Sequence, residues 1–379
     1  MANTAFIEPD IGFINELKQN GGEELSKCYQ CATCTVACNL TPLDRPFPRR
    51  EMILAQWGSA DKLIYNSDVW LCHNCGDCSD KCPRGANPAE TLAAIRNVSY
   101  QRLAKIPFLG KVFSTPKHLI TMYAVPVVLI LVNLAVNGRL GIPDSWSSQI
   151  VYSEMFSLGM IDIIFLPIVG FFVPIVSAIQ IVSFWKGMKK HEPPLQPITM
   201  GSIISGLIGA LIAIMSHKQF AKCDVNKPRL GSHGLMFYGF IALFITTNLV
   251  MLYSYGIVLE QRSTPLPLDN PVKLLGNFGA AFAFVGTTLL VIRRFTAPKA
   301  TGIMTFYDSS FLFNFYLVIL TGIGAELARL GEMPVAAYGI YFIHLVTIFY
   351  LLAYLPFTKF AHILYRTTAM VYASAAGRK

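Results

Sequence analysis

Charge is scarce in this chain. Only 14% of its 379 residues are Asp, Glu, Lys or Arg, 53% are hydrophobic, and the mean hydropathy is +0.48. A soluble protein of this size needs more charge to cover its surface, so a wholly soluble chain is excluded. Acid is scarcer than base, 22 residues against 31, which gives a formal net charge of +9. The excess does not read as nucleic-acid binding. Its Lys and Arg fall in loops flanking apolar runs, where they set membrane orientation. The N-terminus, MANTAFIEPDIGF, lacks the basic stretch and apolar run of a signal peptide. The first part of the chain is therefore expected on the cytoplasmic side of the inner membrane, where thiols stay reduced. Histidine is rare, at seven, and beyond residue 82 the chain has one cysteine, Cys223, which reads as structural.

The other eight cysteines lie between positions 28 and 82. In a reducing compartment such a cluster means metal chemistry rather than disulfides. Cys28, Cys31, Cys34 and Cys38 have the spacing C-x2-C-x2-C-x3-C, and Cys72, Cys75, Cys78 and Cys82 repeat it, followed by Pro83. This is the bacterial two-cluster ferredoxin pattern, in which the fourth cysteine of each run ligates the other cluster. Cys28, Cys31, Cys34 and Cys82 are thus expected to hold one [4Fe–4S] cluster, and Cys72, Cys75, Cys78 and Cys38 the second. Two zinc knuckles fit poorly, because zinc uses pairs of thiolates with a longer gap between pairs. Asn39 stands where many ferredoxins have proline after the first run. Between the runs, 49–57 reads as a helix. After Pro83, Asn87, Pro88 and Glu90 predict the capped start of another.

The long apolar runs come later, and a boundary falls near Pro116. Six runs reach the roughly 20 residues that a membrane helix needs: 118–137, 159–185, 233–256, 272–293, 310–328 and 338–360. A seventh, 198–216, has Lys186, Lys189, Lys190, Lys218, Lys222, Lys227 and Arg229 on its two flanks. If it spanned, one basic flank would face outside, so it is expected to be interfacial or re-entrant. Six spans then place both termini inside, with Arg293, Arg294, Lys299, Arg378 and Lys379. The opposite loops carry only the scattered Arg139, Arg262 and Arg329. The expected fold is all-α: a helical two-cluster ferredoxin-like domain over 1–115 and a six-span helix bundle over 116–379.

Histidine inside such helices is costly and points to function. His233 opens the third span. His344 and His362 are 18 residues apart in the last run. On one helix that is five turns, so they would share a face and lie about 27 Å apart. By this topology His233 and His362 meet near the cytoplasmic surface and are expected to clamp one haem b. His344 is expected near the outer surface, where the third span offers Leu243 and no histidine. It either ligates an outer haem with an unusual partner or hydrogen-bonds a quinone, with Lys273 and Glu326 beside it to steer protons. Asp162 also lies near a helix end, and an ion-pump reading is weak. His73, inside a cysteine run, is expected to tune a cluster by hydrogen bonding. His191 reads as a solvated loop residue. His118 and His217 fall on the inner side.

CYQCATCTVAC and WLCHNCGDCSDKCPRGANP resemble the iron–sulfur subunit of heterodisulfide reductases. HLVTIFYLLAYLPFTKFAHILY resembles the last helix of the respiratory nitrate reductase gamma subunit. That second resemblance implies two stacked b haems, with His344, His362 and His233 as ligands. The fusion of both modules, with RREMILAQWG between the cysteine runs, resembles the membrane-subunit family of the quinone-interacting membrane-bound oxidoreductases of sulfate reducers. It implies two soluble flavin and iron–sulfur partner subunits, and electron flow between menaquinone and adenylylsulfate reductase. The expected role is an electron-transfer enzyme subunit. The alternatives are the membrane subunit of a heterodisulfide-reductase-type complex, whose thiol chemistry would sit in a partner, and a redox-sensing membrane anchor without haem.

Overall fold

The structure, a computed structural model, describes residues 8–42, 45–144, 150–217, 220–222, 224–256, 265–297 and 302–378. The sequence expectations for Lys218, Cys223, Arg262, Lys299 and Lys379 fall outside those residues. Every regular element among the described residues is helical.

The N-terminal part is built from short helices: α1 (Ile11–Leu17), α2 (Thr33–Ala37), α3 (Arg49–Gln56), α4 (Ala60–Ile64), α5 (Ser67–Leu71) and α6 (Asp77–Asp80). They gather around one longer helix, α7 (Pro88–Leu103). Proline at its first position starts α7, where the missing N–H costs nothing. Asn87 departs from expectation. It sits in the left-handed region, at φ 44°, and its side chain makes no cap hydrogen bond. After α8 (Pro107–Val112), the chain enters the apolar helices.

Six helices are long and apolar enough to cross a membrane. They are Pro116–Val136, which includes α9 (Leu119–Val136), Leu158–His191, Arg229–Ser254, Pro271–Thr296, Phe306–Leu330 and Pro334–Ala353. The short α10 (Tyr152–Met155) precedes the second. That second span joins α11 (Leu158–Phe165) to α12 (Val173–His191) through a widened turn at Leu166–Phe172, where Pro167 and Gly170 interrupt the regular ladder. The seventh apolar run forms a shorter helix, α13 (Met200–Ser216), opened by a reciprocal cap between Thr199 and Ser202.

The third and fourth spans, α14 (Arg229–Ser254) and α15 (Pro271–Thr296), lie against each other along their length. Glycine permits this. A Cβ on Gly239 would stand 2.4 Å from the Ala283 backbone nitrogen, and one on Gly286 would stand 2.3 Å from that of Met236. The fifth span, α16 (Phe306–Leu330), begins with a capping box between Thr305 and Asp308 and packs on α17 (Pro334–Ala353).

The last run is not the single helix over 338–360 that its hydropathy implies. α17 ends at Ala353, two tight turns follow at Leu355–Phe357 and Lys359–Ala361, and α18 (His362–Ala375) begins afresh. Pro356 lacks the N–H that would continue the ladder, and its ring clashes with the preceding turn. The Thr358 side chain then caps the restart. His344 and His362 therefore stand on different helices, and the single-helix spacing of about 27 Å does not apply. His344 lies midway along α17 rather than near a helix end, where the sequence reading put it.

The two halves share one core. Trp70, Tyr100, Leu92 and Met52 of the first half are continuous with Phe184, Met188, Tyr307, Tyr365 and Tyr372 of the second. Trp70 is 1% exposed and its ring lies 4.8 Å from that of Tyr365. Tyr65 packs so tightly on α12 that a Cβ on Gly187 would be 2.0 Å from its ring. His191 ends α12 and stacks on Tyr65 at 5.7 Å, which corrects the solvated-loop expectation.

A charge network closes the same seam. Glu192 is 2% exposed and accepts from Ser67 N at 3.0 Å and Ser67 Oγ at 2.7 Å. It also meets Arg45 at 3.3 Å and Arg378, from the far end of the chain, at 2.9 Å. A buried carboxylate is tolerable only with such partners.

Candidate redox site

The two cysteine runs fold alike. Residues two and four after the first cysteine take positive φ in both: Gln30 at 61° and Ala32 at 67°, Asn74 at 53° and Gly76 at 90°. These twists turn the loop back on itself, and a short helix follows each, α2 or α6. Donors turn toward sulfur as a result. Gln30 Nε2 approaches Cys28 Sγ at 3.3 Å, Asn74 N approaches Cys72 Sγ at 3.4 Å, and Ala86 N approaches Cys82 Sγ at 3.4 Å.

A cavity is lined by Cys28, Cys31, Cys34 and Cys82, with Arg49 and Arg84 at its edge. The thiol of Cys38 lies instead within electrostatic reach of Cys72 and Cys75, and that of Cys78 within reach of Cys72, Cys75 and Cys38. α2 and α6 pack together, and Cys34, Cys78 and Ala89 form one buried contact between the two sets. Among the described residues, no three His, Cys, Asp or Glu close on a single metal ion. A cubane spreads its four thiolates over four separate irons, so such convergence is not required of it. Burial pushes the Cys34 thiol up to about 11 and that of Cys78 well above its usual value. Four thiols lining one cavity, with N–H donors turned toward sulfur, are a donor set that fits an iron–sulfur group.

The membrane histidines have readable tautomers, because carbonyl oxygens only accept. His217 Nδ1 lies 3.4 Å from Met215 O, so it donates there. Its Nε2 then accepts from His233 Nδ1 at 3.2 Å, and His233 carries its lone pair on Nε2. His362 Nδ1 donates to Lys359 O at 2.8 Å. Thr321 Oγ1 gives its proton to Leu317 O at 2.6 Å, so it accepts from His344 Nδ1 at 3.0 Å. His233, His344 and His362 thus carry on Nε2 a lone pair not used in these hydrogen bonds, the form that ligates a metal or accepts a proton.

The sequence offers no partner for His344, and the fold supplies Thr321 with Gly322. A Cβ on Gly322 would stand 3.0 Å from His344 Cε1. His233 and His362 stand close enough to influence each other electrostatically. His217, assigned by sequence only to the inner side, is the ring that orients His233. Nothing in the sequence marks that pairing, because the two belong to different helices. Lys273, on α15, pairs with Glu326, on α16, at 2.5 Å, with Asn277 beside them. His73 meets Arg366 of α18, whose Nη2 lies 2.7 Å from His73 Nδ1.

These features define a membrane-anchored iron–sulfur electron-transfer protein, multi-pass and all-α. Residues 24–86 match the family model of the 4Fe-4S dicluster domain, and residues 166–379 match that of citrate utilization protein B. The second match covers more than half of the chain, which therefore belongs to the citrate utilization protein B family. The Escherichia coli citrate utilization protein B is 23% identical over 359 residues, 91% of this chain and 88% of that protein.

The N-terminal part has other relatives, among them subunits of heterodisulfide reductases. One, from the H(2)/formate:CoB-CoM heterodisulfide,ferredoxin reductase of Methanococcus maripaludis, is 34% identical over 105 residues, 25% of this chain and 55% of that protein. Another, from the H(2):CoB-CoM heterodisulfide,ferredoxin reductase of Methanothermobacter marburgensis, is 34% identical over 91 residues, 23% of this chain and 48% of that protein. The chain spans about half the length of these two relatives. No solved structure is significantly similar. The chain is thus a heterodisulfide-reductase-type iron–sulfur domain fused to a multi-span membrane domain, with a general role in an oxidoreductase complex.

Proposed function

We propose that this chain is the membrane subunit of a heterodisulfide-reductase-type complex, exchanging electrons between quinone in the bilayer and a soluble flavin-bearing partner. The relatives of the first half support this assembly more than the narrower assignment to sulfate respiration and adenylylsulfate reductase. The observation that carries the reading is a junction: α18, which begins at His362, packs directly on α5, which ends one residue before Cys72. The helix that carries His362 and the helix that leads into the second cysteine run thereby meet at one seam.

In this reading Cys28, Cys31, Cys34 and Cys82 hold one [4Fe–4S] cluster, and Cys72, Cys75, Cys78 and Cys38 hold the other. His233 and His362 present Nε2 to one haem b, with His217 and the Lys359 carbonyl fixing their rings. When bound, these groups supply one-electron carriers from the bilayer to the solution side. His344, half-buried midway along α17, offers Nε2 as proton acceptor for menaquinol or as ligand to a second haem. Lys273 and Glu326 provide a charged pair at the opposite end of the bundle from the cysteines. The soluble part and the C-terminus face the cytoplasm.

A reduced-minus-oxidised spectrum of membranes containing the chain is the test. A b-type haem band that menaquinol can raise supports electron transfer. Its absence, in membranes whose iron content is normal, would leave a haem-free redox-sensing anchor.

A further inference from the structure

We infer that Arg366 sets the redox character of the second cysteine set, making it the membrane-side station and leaving the first set on the solution side. The inference rests on the reading that the eight cysteines hold two clusters.

Arg366 lies one turn beyond His362 on α18. Its Nη1 donates to Cys72 O at 3.2 Å and its Nη2 to His73 Nδ1 at 2.7 Å. The neighbouring Tyr365 is wedged against Trp70, two residues before Cys72. A second guanidinium, Arg229 at the start of α14, reaches His73 O at 3.4 Å. Two helices of the bundle thus place cations on the Cys72–His73 segment. The first set is partly open to solvent. Cys31 is exposed, and Tyr29 and Val36 are 70% and 87% exposed. Two cations also stand near this set, Arg49 and Arg84, and Arg84 lies over the Tyr29 ring at 4.1 Å.

A guanidinium stays protonated at any pH the protein meets. Reduction adds one negative charge to the group that the thiolates hold. A fixed positive charge beside it favours that state, and local charge and hydrogen bonding are the main controls of cluster potential. Arg366 hydrogen-bonds the Cys72–His73 segment, so its charge acts most directly on the second set.

The experiment is a redox titration of the purified, reconstituted full chain, followed by electron paramagnetic resonance. Cys75→Ser and Cys31→Ser assign the two signals. In Arg366→Gln the signal assigned to the second set should move to lower potential, with iron content and the other signal unchanged. Arg366→Lys, which keeps the charge, should restore most of the shift. Arg84→Gln should move only the first set. The inference is overturned if Arg366→Gln moves neither signal, moves both equally, or is not rescued by lysine. If the unaltered chain holds well under about eight irons, the two-cluster reading itself fails.

Discussion

At the residue scale, burial decides what charge each group can carry. Glu51 is 1% exposed, and burial, then the neighbouring Asp68, pushes its carboxyl up to about 7. Arg50 and an Asn66 hydrogen bond of 3.2 Å compensate only in part. A carboxyl whose folded pKa is raised binds more protons folded than unfolded, so stability is greatest below the unfolded value and falls as pH rises towards 7. Thermal unfolding of the detergent-solubilised protein should show a loss on the order of 3 kcal/mol between about pH 4.5 and 7.5. Glu51→Gln should flatten it, and a profile unchanged in that variant would remove Glu51 as the cause.

Ligand assignments belong to this scale as well. Cys38→Ser should damage the group held by Cys72, Cys75 and Cys78, since that is where the Cys38 thiol lies. Selective loss of the signal belonging to Cys28, Cys31 and Cys34 would reverse the pairing. His233→Ala and His362→Ala should each remove the same haem band while protein still reaches the membrane. Loss of two different bands would show that the two rings serve separate sites.

At the scale of elements, the bundle depends on what is missing from certain side chains. α14 and α15 meet where Gly239 and Gly286 leave room for the opposite backbone. A side chain there meets backbone, which cannot swing aside. Gly286→Leu should therefore cost more than the roughly 1–3 kcal/mol of ordinary overpacking. The expected sign is a lowered melting temperature, and, for the haem proposed at His233, early loss of its band, because the Ser232 carbonyl lies at the same spot. A melting temperature equal to that of the parent would mean that the two helices can separate freely. The break at Pro356 is the other element-level device. It lets α18 leave the line of α17 and lie on α5, carrying His362 and Arg366 to the cysteine runs.

At the scale of the whole molecule, the iron–sulfur part is packed into the bundle rather than tethered to it. Trp70, Tyr100, Tyr307 and Tyr365 form one aromatic group across the boundary, with centroid distances of 4.8 Å for Trp70–Tyr365 and 5.4 Å for Tyr100–Tyr307. Glu192 ties Ser67, Arg45 and Arg378 together beside it. Trp70→Ala should cost about 3–5 kcal/mol and loosen the seam as a unit. Limited proteolysis should then release the first hundred or so residues, while the bundle stays in the membrane. Cleavage no faster than in the parent would show that the seam is held by charge rather than by rings.

The sequence by itself determined the class of this protein. Eight cysteines in two identical runs name an iron–sulfur centre, because the spacing is a local property of a loop wrapping a cubane. Six apolar runs name the membrane helices, because length and hydropathy are also local. Two readings exceed what local pattern can carry. Hydropathy runs straight through Pro356 and so puts His344 and His362 on one helix, whereas a backbone break separates them. Histidine depth read from that single helix puts His344 near the outer surface and leaves it without a partner. Only the tertiary structure brought Thr321 to His344, His217 to His233, and Arg366 to Cys72. Each of those contacts joins residues 16 to 294 positions apart. Long-range hydrogen bonds arise from how helices pack, and helix packing leaves no period in the sequence.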